Sequence, residues 1–131
     1  MIEFSAMFPV MVAEDLEKLK AFYEAFFGFQ SVYYQEDFYL HLVSMDTGVQ
    51  LGFLVPDHPS QPEFLHRIMD SEGYVISLEV ANATAAYEQA NNANMTISMP
   101  LKEEVWGQVH FMVEDPAGIN IDIVQHKTDS E

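Results

Sequence analysis

Two histidines sit where alternating apolar and polar residues predict strands: His41 within Tyr39-Leu40-His41-Leu42-Val43, and His110 within Gln108-Val109-His110-Phe111. The chain has no cysteine, which excludes disulfides, thiolate metal ligands and cysteine nucleophiles. Chemistry therefore falls to imidazole, carboxylate, phenol or backbone groups. An imidazole near a buried carboxylate can be tuned toward neutral pH for general acid–base work. Imidazole and carboxylate together also suit a divalent metal, so a set of His41, His110 and Asp122 is conceivable. Period-two alternation puts Tyr39, His41 and Val43 on one strand face and Leu40 and Leu42 on the other, while His110 shares a face with Met112 against Val109 and Phe111. The sequence leaves three environments open for each histidine: cavity wall, solvent, or a hydrogen-bonded place in the core.

The single tryptophan, Trp106, precedes Gly107 between two late predicted strands, where an indole caps a cavity or packs at a subunit interface. With Phe38, Tyr39 and Phe53 it could build a stacking wall for a planar or cationic ligand; the alternative is that these aromatics are core. His58, His66 and His126 fall in or beside polar loops and read as surface residues. Eight methionines suit a cavity that admits varied apolar ligands, and chance composition explains them equally well.

These residues need a scaffold, and 131 residues with 49% apolar content can bury one domain's core. Five Lys and Arg against 21 Asp and Glu give a formal charge of −16, which repels phosphate backbones and anionic membrane surfaces. Neither nucleic acid nor a membrane is expected as a partner. The charge is compatible with a cationic ligand, or with solubility alone. No apolar run reaches the roughly 20 residues that span a bilayer, and Met1-Ile2-Glu3-Phe4 lacks the cationic start of a signal peptide, so a cytoplasmic protein is expected.

The elements follow from periodicity and punctuation. Met7 to Val12 predicts a strand interrupted by Pro9. A helix follows, with Asp15 as N-cap, Glu17 in its first turn, Gly28 past its end, and Leu16, Leu19, Phe22 or Tyr23, Phe26 and Phe27 on a core face. Three extended runs come next, Ser31 to Gln35, Phe38 to Asp46 and Val49 to Val55. Pro56 to Ser71 reads as a linker with one helical turn around Phe64 to Met69. The order then repeats: strand Tyr74 to Val80, N-cap Asn82, helix Ala83 to about Asn92, and strands Met95 to Leu101, Gln108 to Val113 and Asn120 to Gln125. Asp115-Pro116-Ala117-Gly118 turns between the last two, and a polar tail from Lys127 is expected to fray.

Two stretches carry a family resemblance. Residues 14–29, Glu-Asp-Leu-Glu-Lys-Leu-Lys-Ala-Phe-Tyr-Glu-Ala-Phe-Phe-Gly-Phe, are similar to the first helix of the glyoxalase/bleomycin-resistance/extradiol-dioxygenase (vicinal oxygen chelate) superfamily. Residues 111–124, with Asp115-Pro116-Ala117-Gly118 turning into the last strand, resemble its closing hairpin. The resemblance implies an α+β fold of two βαβββ modules, curved mixed sheets around a shared concave cavity. In this single domain, module one covers about residues 1–56, a linker about 57–72 and module two about 73–126.

Metal-dependent members hold a divalent ion with one side chain from the first and one from the last strand of each module. Here those positions fall on Phe8 (or Met7), Gln50, Val75 and Asp122, of which only Asp122 keeps a family carboxylate. The resemblance therefore points to the metal-independent branch: a homodimer that binds a small molecule, a cationic antibiotic among the candidates, without a cofactor. Its expected ligand-binding residues are Phe38, Tyr39, His41, Gln50, Phe53, Trp106, His110 and Asp122. The alternative is a metal-dependent lyase or dioxygenase with an atypical ligand set that includes Asp122.

Overall fold

A computed structural model describes residues 1–127, which form two compact units, residues 1–70 and residue 71 onward. Each unit builds a strand, a helix and three more strands. The first contains β1 (Val10–Val12), α1 (Leu16–Phe27), β2 (Gln30–Gln35), β3 (Tyr39–Val43) and β4 (Gln50–Leu54). The second contains β5 (Ile76–Glu79), α2 (Ala83–Asn92), β6 (Ile97–Glu103), β7 (Gln108–Glu114) and β8 (Asn120–His126). The sheet orders β1-β4-β3-β2 and β5-β8-β7-β6 are the same topology twice, each with one parallel pair and two antiparallel pairs. The α+β reading with two mixed-sheet βαβββ modules is thus what the chain adopts. Among the described residues no helix is long and apolar enough to cross a membrane.

Burial explains which face of each sheet takes the helix. In the first unit Leu16, Leu19 and Tyr23 of α1 are fully buried with Leu40, Leu42 and Phe53 of the sheet. Tyr23 rather than Phe22 faces inward, its ring 5.7 Å from that of Phe53. In the second, Val113, Phe111 and Ile121 make the helix-side core, and Tyr87 of α2 packs edge-on to Phe111 at 5.0 Å.

Local chemistry sets the element ends. Asn82 caps α2 as its side chain accepts from the Ala85 backbone N–H at 3.0 Å. Asp15 does not cap α1 with its side chain. Its backbone lies in the left-handed region, φ 55°, whereas a capping residue is extended, and its carboxylate turns to Lys18 at 4.0 Å. At the last hairpin Asp115 Oδ1 accepts from the N–H groups of Ala117 and Ile119 at 2.8 and 3.0 Å, and Gly118 takes the positive φ of 83° that the turn requires.

Other expectations change. The first strand begins at Val10 because Pro9 has no N–H to donate, although the Pro9 carbonyl still accepts from Gly52. The segment read as a linker belongs to the first unit: Asp57 N–H donates to the His66 carbonyl at 3.1 Å and Met69 N–H to Val12 at 3.0 Å, around a single 3-10 turn at Glu63–Leu65. The sixth strand runs past Leu101 to Glu103, with register shifts on both sides of Met99. Lys127 is held, its N–H on the Gly107 carbonyl at 2.7 Å and its ammonium on Glu103 at 2.7 Å; the rest of the expected tail lies outside the described residues.

Candidate functional site

Because α1 takes Leu40, Leu42 and Phe53, the alternate residues of β3 and β4 lie on the helix-free face of the first sheet. There His41 pairs in register with Gly52, Tyr39 with Leu54 and Val43 with Gln50. The three polar side chains form one chain of hydrogen bonds. Tyr39 Oη is 2.7 Å from His41 Nδ1, and His41 Nε2 is 2.7 Å from Gln50 Oε1. The amide oxygen only accepts, so Nε2 carries the donated proton; in the neutral ring Nδ1 is then left to accept from the Tyr39 hydroxyl. Burial pushes the Tyr39 phenol above its ordinary pKa, which keeps it a donor.

Gly52 makes room for this arrangement. A Cβ at position 52 would collide with the Tyr39 hydroxyl oxygen and lie 3.0 Å from Tyr39 Cζ and 3.1 Å from Val10 Cγ2. The Phe8 ring meets the His41 ring edge-on at 4.5 Å. Tyr33, Phe38 and Tyr39 adjoin one another at 6.1 to 6.4 Å, and Phe38 also covers His58 at 4.4 Å. This face therefore offers aromatic surface around a fixed polar line.

The helix-free face of the second sheet carries charge instead. Asp122 pairs in register with Ser77 and Met112, and His110 with Val124 and Lys102. His110 and Asp122 are 6% and 9% exposed. The ring is bound at both nitrogens, Nδ1 to Asp122 Oδ1 and Nε2 to Glu104 Oε2, each at 2.8 Å. Lys102 closes the line at 3.1 Å from Glu104. Burial works against a charged ring, but the hydrogen bonds and charges of Glu104 and Asp122 outweigh it and hold the His110 pKa above the usual histidine value. The hydrogen bond from His110, helped by Lys102, holds Glu104 below the usual carboxylate range in spite of partial desolvation.

A model of the glyoxalase/bleomycin resistance protein/dioxygenase superfamily matches residues 7–123. The chain belongs to that superfamily. Solved structures agree in fold. A superfamily member from Sphaerobacter thermophilus is 22% identical with a TM-score of 0.74, covering 96% of this chain and all of that one. A glyoxalase/bleomycin resistance protein/dioxygenase from Nocardioides is 14% identical with a TM-score of 0.76, over 98% of this chain and 87% of that one. A lactoylglutathione lyase from Agrobacterium tumefaciens is 15% identical with a TM-score of 0.72, over 92% of each chain. No curated protein matches the chain.

The superfamily's metal positions do not fit a divalent ion in this member. Phe8 and Val75 carry no donor atom. Gln50 Oε1 accepts from His41, and Asp122 Oδ1 accepts from His110. Among the described residues no group of three or more His, Asp and Glu side chains is arranged to hold a metal.

Of the expected ligand-binding residues, Tyr39, His41 and Gln50 come together on one face with Phe38 beside them, and His110 and Asp122 form a pair on the other unit's sheet. Phe53 is a correction: it is fully buried, because its register partner is Leu40 and both lie under α1. Trp106 is 67% exposed at the tip between β6 and β7, where its N–H donates to Gln108 at 2.9 Å. Of the set His41, His110 and Asp122, His41 is bonded to Tyr39 and Gln50, and His110 to Asp122 itself and to Glu104. His58, His66 and His126 bond to Ser60, the Gln61 carbonyl and Glu79 respectively, as loop-side residues do.

Glu104, which bonds His110 Nε2, is the member of this polar line that the sequence did not reveal. Its signal was the strand boundary: extending the sixth strand past Leu101 brings Lys102 opposite His110 and Glu104 within reach. A groove of about 440 Å³ in the second unit is lined by Asn82, Lys102, Gln125 and Lys127. Both lysines are already paired with glutamates, so it presents no unbalanced positive charge.

Proposed function

We propose that this superfamily member is a metal-independent small-molecule binding protein. The observation that carries the reading is the fate of the metal positions: two are hydrocarbon side chains, and the other two are tied up by histidines. The helix-free face of the first unit supplies what such a protein needs, aromatic surface around a few fixed polar groups. Tyr39, His41 and Gln50 are the polar groups, and Phe8, Tyr33 and Phe38 the aromatic ones. A formal charge of −16 favours a cationic, planar ligand by long-range attraction, and a cationic antibiotic meets that description.

The reading extends to a homodimer in the cytoplasm, both carried over from the antibiotic-binding branch that the chain resembles; sedimentation equilibrium tests the first. The experiment for the function is calorimetric titration with a panel of cationic aromatic drugs, on wild type and on Tyr39→Ala and His41→Ala. Saturable binding weakened by both substitutions supports it. Absence of binding across the panel, or binding indifferent to both, refutes it.

A further inference from the structure

We infer that His110 is a resident imidazolium, an internal cation that neutralises the carboxylate left at the superfamily's last metal position. The argument is a count of protons. Carboxylates accept hydrogen bonds and, when ionised, donate none, whereas a neutral imidazole carries one N–H. Both nitrogens of His110 sit 2.8 Å from carboxylate oxygens, Nδ1 from Asp122 and Nε2 from Glu104. Two ionised acceptors at that distance require two donors on the ring, so the ring carries both protons. With one proton fewer, a nitrogen lone pair would face a carboxylate lone pair at hydrogen-bond distance inside a largely buried cluster, an arrangement that costs more than the unmade bond itself.

The surrounding charges fit the same count. Glu104 and Asp122 bring two negative charges, His110 one positive, and Lys102, 3.1 Å from Glu104 and its side chain 53% exposed, a second positive. The line Lys102–Glu104–His110–Asp122 alternates in sign and sums to zero. A buried carboxylate with no cation beside it is expensive, and a metalloenzyme of this superfamily satisfies that demand with its divalent ion. Here the chain meets it with its own ring. The β6–β7 hairpin brings Lys102 and Glu104 to His110, its register shifting on both sides of Met99 so that Lys102 lies opposite His110, and β8 supplies Asp122.

The inference deepens the metal-free reading without depending on any ligand, so the two fail separately: the drug titration can be blank while the ring is doubly protonated, and the reverse. The test is nitrogen-15 NMR of the imidazole in the full chain at neutral pH, with His110 assigned from a His110→Gln variant. The expected result is both ring nitrogens at protonated shifts, unchanged by excess Zn²⁺, Ni²⁺ or Mn²⁺, and reversion of one nitrogen to the bare position in Asp122→Leu. A bare nitrogen in the wild type overturns the inference, as does a stoichiometric metal-dependent shift of His110. Should Asp122→Leu fail to fold, Glu104→Leu, at the more exposed end of the line, removes the other acceptor and gives the same reading at Nε2.

Discussion

Replacing Asp122 with alanine removes one acceptor from His110 and, in mild acid where the ring stays protonated, leaves Nδ1–H facing the vacated space. Asp122 and His110 are 9% and 6% exposed, so water replaces the lost acceptor poorly. A hydrogen bond to a charged group contributes about 1.5–3 kcal/mol, and breaking a buried pair outright costs about 3–5 kcal/mol. Glu104 still holds Nε2 at 2.8 Å, which places the expected loss at the lower end, about 2 kcal/mol. Urea unfolding followed by circular dichroism reads this as a lower midpoint at unchanged slope.

The pH dependence separates charge from packing. The folded pKa of His110 is raised, so the stability it supplies is complete below the ordinary histidine value near 6.5 and is lost as the pH rises through the folded value. The gap between wild type and Asp122→Ala should therefore be widest in mild acid and narrow on the alkaline side. Glu104 acts in the opposite sense: its pKa is lowered, and its contribution disappears as the pH falls through the folded value. A loss below about 0.5 kcal/mol in mild acid, or a gap that widens with rising pH, would refute the reasoning.

Gly52→Ala gains roughly 0.5–1 kcal/mol of backbone entropy. It also displaces the Tyr39 ring, losing the bond to His41 and adding off-rotamer strain at about 1 kcal/mol each, for a net destabilisation of about 1 kcal/mol. In a Tyr39→Leu background the hydroxyl oxygen and Cζ are gone and only Val10 Cγ2, at 3.1 Å, remains close, so the same substitution should cost clearly less; equal effects in both backgrounds, measured by thermal melts, would contradict the packing described. Asn82→Ala should cost about 1 kcal/mol through the lost cap of α2, whereas Asp15→Ala should cost much less, because its side chain makes no cap bond. Equal losses from the two would show that Asp15 caps in solution.

Features decided within a few residues were legible in the sequence. The helix Leu16–Phe27 with Gly28 past its end, the cap at Asn82 and the Asp115–Gly118 turn rest on local hydrogen bonding and local backbone preference. Faces of strands were harder. Gln50–Leu54 is nearly all apolar, so alternation could not say that Phe53 belongs under the helix and Gly52 beneath Tyr39; the pairing with β3 decides it. His110 and Asp122 each stood out by type, but their meeting depends on the β7–β8 register, and Glu104 on two register shifts in β6 that no local pattern announces. Asp15 has the residue type of a cap, and its left-handed backbone overrides it.

The most direct measurement of the central claim is ligand affinity with the divalent metals removed. The wild-type protein, stripped with a chelator and verified by elemental analysis, is titrated calorimetrically with a cationic aromatic ligand, before and after addition of Zn²⁺, Ni²⁺, Fe²⁺ or Mn²⁺. The account predicts the same affinity throughout, with no metal retained stoichiometrically. Binding that appears only with metal, together with a stoichiometric ion lost in Asp122→Ala, would contradict it.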